Sequence, residues 1–373
     1  MKTVVIFPTA TLLNKNGEVY NGVRELITNI YDAGDDVIFL SNNRNNLVEI
    51  IEEFEFATFV RRSDIRGLID ESEETLFILV GSSDVDLYLA SSKKILLINP
   101  QWSYVQQEKA VKYGFAIRTP QGLERVLRIL KNHNAWFYTL ELDEATEVYS
   151  LTRANYYYVE SQSEVEILKG FENLLKEGNK QYFKVLLYHF IGAIVNNPMF
   201  REIDIWAIMP SSKKTNNKDM EDLKERARLL MGKRYKEPLF LRHTQVTKSR
   251  DMNQAARLYC DRHFDSIIIN PVYQGKLQGK NICVLDDYLT NGTSFETLRN
   301  LLRHEGVNQI LFVSMGRFQR GNGIDYLKQD YYIVGNVYER SYEYVAGEKH
   351  RMYGNFNTQA RLDLRTLYDI IRS

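Results

Sequence analysis

The chain reads as an α/β protein built on two doubly wound, mostly parallel sheets. Three observations carry this. Short runs of unbroken apolar residues recur along the chain, as expected of strands buried on both faces. Amphipathic segments of helical length lie between them. The 373 residues are enough for one large or two ordinary domains.

The elements follow in order. "TVVIF" from Thr3 is a strand, and "GVRELITNIYDAG" (Gly22 to Gly34) is a helix closed by glycine. "DVIFLS" and "NNLVEIIEEF" repeat the pair. "TLFILVG" is a third strand ending at Gly81, followed by the short helix "DLYLASS". "KILLIN" is a fourth strand and "GLERVLRILKNH" a further helix. Beyond the aromatic stretch Trp136 to Ser163, "EVEILKGFENLLKEG" and "QYFKVLLYHFIGAIVNN" predict long helices. "EIDIWAIMP", "SIIIN", "NICVLDD" and "QILFVSMGRF" then predict strands, with "KDMEDLKERARLLMGK" and "SFETLRNLLRHEG" as helices among them. The expected division is a first domain over 1–135, a join over 136–163 and a second domain over 164–373. No Pro/Gly/Ser-rich linker separates the halves, so they are expected to pack together. In Rossmann-like sheets of this kind, ligands bind beyond the carboxyl ends of the strands.

Composition removes several functions. Forty-eight basic and 48 acidic residues leave no net charge, which gives no support to nucleic-acid wrapping or membrane-surface binding. Two cysteines, Cys260 and Cys283, make a disulfide framework a poor fit and suit a reducing compartment. The six histidines show no ligand spacing. The start of the chain reads as a strand, not a signal peptide. No run approaches the length needed to cross a bilayer, and a cytoplasmic protein is expected. The 24 tyrosines cluster at "ANYYYVES" and "QDYYIVGNVYERSYEYVAG". Without a basic stripe beside them they predict strands, not a base-stacking platform.

The most informative stretch is "NICVLDDYLTNGTSFETLRNLLRHEG", Asn281 to Gly306. It places Asp286 and Asp287 at the carboxyl end of a buried strand. Adjacent like charges are unfavourable unless a cation or a polyol satisfies them. The loop Thr290, Asn291, Gly292, Thr293 and Ser294 then leads into a helix. Gly292 permits a tight turn, the hydroxyls and N–H groups suit a phosphate monoester, and the acids suit vicinal hydroxyls. A sugar phosphate fits both halves. The bland alternative is a strand-end acid pair that caps the next helix.

Ile282 to Ser294 resembles the phosphoribosyl-pyrophosphate motif of the type I phosphoribosyltransferases, in which four apolar residues precede two acids, two spacers and a Thr-small-Gly-x-Thr/Ser loop. Asn291 stands where many members have threonine. The resemblance implies that Asp286 and Asp287 hold the ribose hydroxyls and that Thr290 to Ser294 hold the 5′-phosphate. It implies a pyrophosphate loop at Ser211, Ser212 and Lys213. In the ComF-like branch it also implies a mobile basic segment carrying Arg242, Lys248 and Arg250, and an arginine after a later strand, Arg317. The implied reaction is transfer of phosphoribosyl to an unidentified nitrogen acceptor with release of pyrophosphate. Mg²⁺ is the implied cofactor, bridging pyrophosphate and ribose oxygens and reached through Asp286 and Asp287.

The first domain, from "VVIFPTATLLNKNGEVYNGVRELI" to "FILVGSSDVDLYLASSKKILLIN", resembles a haloacid-dehalogenase-like phosphatase. Phe7 and Thr9, or Pro8 and Ala10 in the neighbouring register, stand where that family has its two aspartates. Ser41 matches its hydroxyl, Ser82 replaces one later acid, Asp86 matches the other, and Arg61 or Arg62 is the candidate base. The resemblance therefore implies a catalytically dead domain, able to bind a ligand, dock a protein partner or a second copy, or shield the other site. An unrelated flavodoxin-like sheet stays open as the alternative. For the whole chain, two other functions stand beside the transferase. One is a non-catalytic sensor of a nucleotide or phosphoribosyl pyrophosphate, such as an effector of a defence or stress system. The other is a nucleic-acid-binding factor, disfavoured by the neutral charge.

Overall fold

The computed structural model describes residues 2–368 apart from 73–74, 133–135, 157–158, 160, 213–216, 232–234, 247–257, 320–325, 363 and 365–366. Residues 2–117 wind a six-stranded parallel sheet of β1 (Lys2–Pro8), β2 (Asp36–Ser41), β3 (Thr58–Arg61), β4 (Thr75–Val80), β5 (Leu96–Pro100) and β6 (Phe115–Ile117), in the order β3-β2-β1-β4-β5-β6. The helices α1 (Thr9–Leu12), α2 (Val23–Asp32), α3 (Val48–Glu53), α4 (Ile65–Asp70), α5 (Asp84–Lys93) and α6 (Glu108–Tyr113) make the crossovers, and α7 (Pro120–Asn132) follows β6. Val4 to Phe7 and Ile78 to Val80 are buried from both sides, which is why these strands show no alternation. The order reverses between β1 and β4, so their carboxyl ends open on the crevice where such sheets take ligands.

The second sheet uses β7 (Tyr138–Asp143), β8 (Thr146–Arg153), β9 (Ile205–Ile208), β12 (Asn281–Leu289), β13 (Gln309–Arg317) and β16 (Asn355–Phe356). Their order is β16-β7-β8-β13-β12-β9. It is parallel only across β8, β13, β12 and β9; β7 runs antiparallel to β8, and β16 to β7. The stretch 136–163, expected as a join, contributes β7 and β8 to this sheet. Only Glu144 and Ala145 separate them, and so short a link can close only a hairpin. Around the sheet lie α8 (Gln162–Glu177), α9 (Phe183–Val195), α10 (Lys218–Leu230) and α11 (Thr293–His304).

Two ribbons stand apart from it. β10 (Phe240–Arg242) pairs antiparallel with β11 (Ile267–Ile269), and β14 (Tyr326–Val334) with β15 (Glu343–Met352). "SIIIN" is thus a strand, but of a side ribbon; the residues between it and β12 are too few for a helical crossover. The later tyrosine cluster is strand and strand connection, with Phe264 stacked on Tyr344 at 4.5 Å and meeting Tyr331 edge-on at 5.0 Å.

One apolar core joins the two sheets. It runs from Phe7 and Ile78 through Leu127 of α7 and Phe190 of α9 to Trp206, Leu285 and Val313. α9 is buried all round from Val185 to Val195, as a core helix is. The Tyr188 hydroxyl donates to the Ala116 carbonyl at 2.8 Å, and Asn196 Nδ2 to the Leu130 carbonyl at 2.8 Å. Among the described residues no helix is long and apolar enough to cross a membrane.

A buried ionic network fixes α11. Arg299 and Glu296 are both fully buried, with Arg299 Nε donating to the two Glu296 oxygens at 3.0 Å each. Glu296 also accepts from the Tyr326 hydroxyl at 2.8 Å and from the Gln329 amide at 2.9 Å. Arg299 further pairs with Asp143 at 3.2 Å and Asp330 at 2.8 Å. The network therefore ties α11 to β7 and β14. Arg299→Ala should destabilise the protein by about 3–5 kcal/mol in urea unfolding, because Glu296 would stay buried without its cation.

Candidate functional site

The acid pair lies within the last turns of β12, not beyond it. Asp286 faces Ser314 of β13 in register. Each carboxylate accepts the next residue's amide, Asp286 Oδ1 from Asp287 at 2.8 Å and Asp287 Oδ1 from Tyr288 at 2.7 Å. Burial pushes the Asp286 carboxyl well above the ordinary carboxylate range, and the Asp287 charge adds to this. Asp287 Oδ2 is ion-paired with Lys176, from the last turn of α8. The same ammonium lies 4.9 Å from the centre of the Tyr288 ring. With one acid already paired, Asp286 and Asp287 do not by themselves build a divalent-cation site. Among the described residues no group of three or more His, Cys, Asp and Glu side chains comes together for a metal.

The loop after the acids is held from several sides. Gly292 takes φ +78°, the left-handed region, and a Cβ there would meet the Tyr326 ring at 2.1 Å. Asn291 Oδ1 accepts from the Thr293 hydroxyl at 3.1 Å, and the Leu327 amide donates to the Asn291 carbonyl at 2.9 Å. Arg317 lies beneath the loop, almost wholly buried, with its guanidinium on the carbonyls of Leu289 and Thr290 and 4.8 Å from the Tyr138 ring. It holds the loop's shape from inside, whereas the sequence suggested a substrate contact.

Beyond the loop, Ser294 stands in the first turn of α11 and gathers a basic cluster. Its hydroxyl accepts from Arg262 Nη2 at 2.7 Å and lies 3.2 Å from His263 Nε2. His263 Nδ1 lies 3.5 Å from Arg242 Nη1, which donates to Ser266 Oγ at 2.6 Å; Arg242 Nη2 donates to the Pro210 carbonyl at 3.0 Å. Burial holds the His263 imidazole well below its usual range, reinforced by Arg262 and Arg242, so it is neutral. Burial also lowers the Arg242 guanidinium to about 10, with Arg262 adding to the effect. Arg242 is therefore part of a fixed ribbon, β10, where a loose basic segment was expected. Its Nε is buried without a hydrogen-bond partner among the described residues.

Ser211 and Ser212 follow β9, whose extension is pinned beside β12 by the Met209 amide on the Leu285 carbonyl at 2.8 Å. Lys213, Lys248 and Arg250 lie outside the described residues. The structure thus brings Asp286, Asp287 and the Thr290–Ser294 loop to one strand end, with Arg242 and the start of the Ser211–Ser212 segment on the neighbouring side. Lys176, Arg262 and His263 belong to the same place and carried no sequence prediction. "DRHF" sits just before a buried ribbon strand, a faint signal for the last two. Lys176 has none, being 111 residues from its partner.

The first sheet's carboxyl edge is built differently. Asp86 is buried and takes Arg62 Nη2 at 2.7 Å, so Arg62 and not Arg61 is its basic partner. Its other oxygen accepts the amides of Ser82 and Ser83 at 3.1 and 3.0 Å. At the end of β1, Ser103 Oγ donates to the Ala10 carbonyl at 2.7 Å and lies 3.0 Å from Ser82 Oγ, while Trp102 Nε1 donates to the Thr11 carbonyl at 3.1 Å. The polar groups at this edge are largely turned on one another.

No model of a known protein family matches the chain, and neither does any curated protein sequence.

Two outcomes follow for this region. Gly292→Ala should cost about 1–3 kcal/mol in denaturant unfolding, since it combines positive φ with a clash on Tyr326. For His263, the folded pKa is depressed, so its contribution is present above the ordinary value of 6.5 and is lost as pH falls below it. Urea unfolding of His263→Gln should therefore lose stability less steeply than wild type below that pH. The difference should approach about 1.4 kcal/mol per pH unit, the limit for one proton.

Proposed function

We propose that the carboxyl edge of the second sheet binds a ribose 5-phosphate group, carried by phosphoribosyl pyrophosphate or a nucleotide. On this reading the protein is a type I phosphoribosyltransferase of the ComF-like kind. The observation that carries it is the junction of β12 and α11: an acid pair, a glycine-turned loop, and a helix start where Arg262 and His263 converge on Ser294. Vicinal hydroxyls would donate to the acids. A phosphate would lie on the loop, accepting from the N–H groups of the helix start, with Arg262 and Ser294 beside it.

The reaction would be a displacement at the anomeric carbon. The bond from C1 to the pyrophosphate oxygen breaks with its electron pair leaving on pyrophosphate. A nitrogen lone pair of the acceptor forms the new bond, and that nitrogen's proton passes to solvent. The protein's part is to position the sugar and neutralise charge. Arg242, with Ser211 and Ser212, is the candidate holder of the leaving group. A magnesium ion, when it accompanies phosphoribosyl pyrophosphate, would supply charge neutralisation at the diphosphate; the acids as paired here do not call for it.

The first sheet fits a haloacid-dehalogenase-like domain without phosphatase activity. Residues Phe7 to Ala10 offer no carboxylate for a covalent phosphoryl intermediate. A second reading, non-catalytic sensing of the same ligand, has one observation in its favour: Asp287 already holds a protein cation. Calorimetric titration with phosphoribosyl pyrophosphate and Mg²⁺, with pyrophosphate assayed in the same cell, separates the two. Release supports the transferase, binding alone across a panel of nitrogen acceptors supports the sensor, and no binding overturns both. Asp286→Asn with Asp287→Asn should lower release or affinity by on the order of a hundredfold.

A further inference from the structure

We infer that Lys176 is the resident counter-cation of the ribose subsite, so that a sugar phosphate binds there without a divalent metal. This rests on the ribose reading of Asp286 and Asp287. Two adjacent carboxylates at the end of a buried strand repel each other and repel an incoming phosphate dianion. Something positive has to offset them. In many sites of two acids that role falls to a divalent ion held by carboxylate oxygens. Here α8 delivers an ammonium to the same place.

Two contacts fix Lys176 there independently. Its Nζ pairs with Asp287 Oδ2, and it lies over the Tyr288 ring at 4.9 Å. Both partners are on β12, so the ammonium is held against the strand end and not merely near it. Gly178, in the left-handed conformation, ends α8 two residues later and turns the chain away from the site. The Lys176 side chain remains 43% exposed and that of Asp287 27%, so the pair is open to solvent and can rearrange around a hydroxyl without leaving a buried charge unpaired. Among the described residues Asp286 has no ion pair of its own; burial favours its neutral form, against the field of Lys176, and Arg242 lies along its side. The pair thus sets an ion-paired carboxylate, an acceptor, beside a carboxyl that burial favours in its protonated form, which can donate as well. That suits a vicinal diol. Lys176 acts through Asp287 and is a positioning residue.

The test uses ribose 5-phosphate as probe, titrated calorimetrically into the full chain in EDTA and again in millimolar Mg²⁺. Wild type should bind equally in both, within about twofold, and Lys176→Arg should behave likewise. Lys176→Gln should lose about tenfold in EDTA and recover most of it in Mg²⁺, because the ion can then reach the exposed acid. A separate titration with Mg²⁺ alone should show binding to Lys176→Gln above that to wild type, a change that a merely structural role for Lys176 would not produce. Thermal unfolding of each variant checks that the fold is intact. Wild-type binding that requires Mg²⁺, or Lys176→Gln binding that is unchanged in EDTA, overturns the role of Lys176 and leaves the ribose site standing. Absence of ribose 5-phosphate binding to wild type in both buffers overturns the ribose reading and this inference together.

Discussion

Two carboxylates placed side by side at the end of a buried strand set the terms for the second half of this chain. β12 is flanked by β13 and, as far as Leu285, by β9, so Asp286 and Asp287 sit together at the strand end only partly open to water. Their charge has to be met from other elements. α8 brings Lys176 to one of them, and β10 carries Arg242 along the side of the other. The loop beyond must also keep its shape next to this charge. Arg317 from β13 holds its carbonyls from below, and Tyr326 of β14 closes on Gly292 from the side. Tyr326 is itself fixed by Glu296, which is fixed by Arg299. The chain of contacts from the acids back to the ionic network explains why so polar a helix as α11 is buried over most of its length.

The two carboxyl edges solve the same problem in opposite ways. On the first sheet the acid Asp86 is matched by Arg62 and by two backbone amides, and the serines bond to one another and to the Ala10 carbonyl. Polar groups there satisfy each other. On the second sheet the donors converge on Ser294 and around Asp287, leaving partly exposed side chains at the strand end. A closed edge gains stability; an open one keeps donors and acceptors for something else. The contrast is the reason the proposed site is assigned to the second sheet.

The sequence made much of this legible, and the misses have physical causes. Strands buried on both faces announce themselves as unbroken apolar runs, so the α/β class, four strands of the first sheet and three of the second could be read directly. The acid pair and its loop were legible because the chemistry is local: strand end, acids, glycine and hydroxyls fall within thirteen residues of one another. Whatever depended on distant pairing was not. β7 and β8 hid in an aromatic stretch because polar residues, among them Thr146, Ser150 and Thr152, take buried positions in β8 and break the apolar run. β11 looked like a sheet strand because three isoleucines say nothing about which strand they meet. Arg317 was read as a substrate contact because a guanidinium that folds back on a neighbouring loop has no sequence signature. Lys176 was invisible as a site residue, and Arg262 and His263 nearly so, for the same reason: their partners are far away in the chain.

The core that runs from β1 through α7 and α9 to β12 has a mechanical meaning. α9 is wetted on neither side, because one flank belongs to the first sheet's layer and the other to the second's. Separating the halves would strip that helix and leave Phe115, Tyr188 and Trp206 facing water. The two sheets are therefore expected to melt as a single cooperative unit, with neither half able to swing aside without exposing that core.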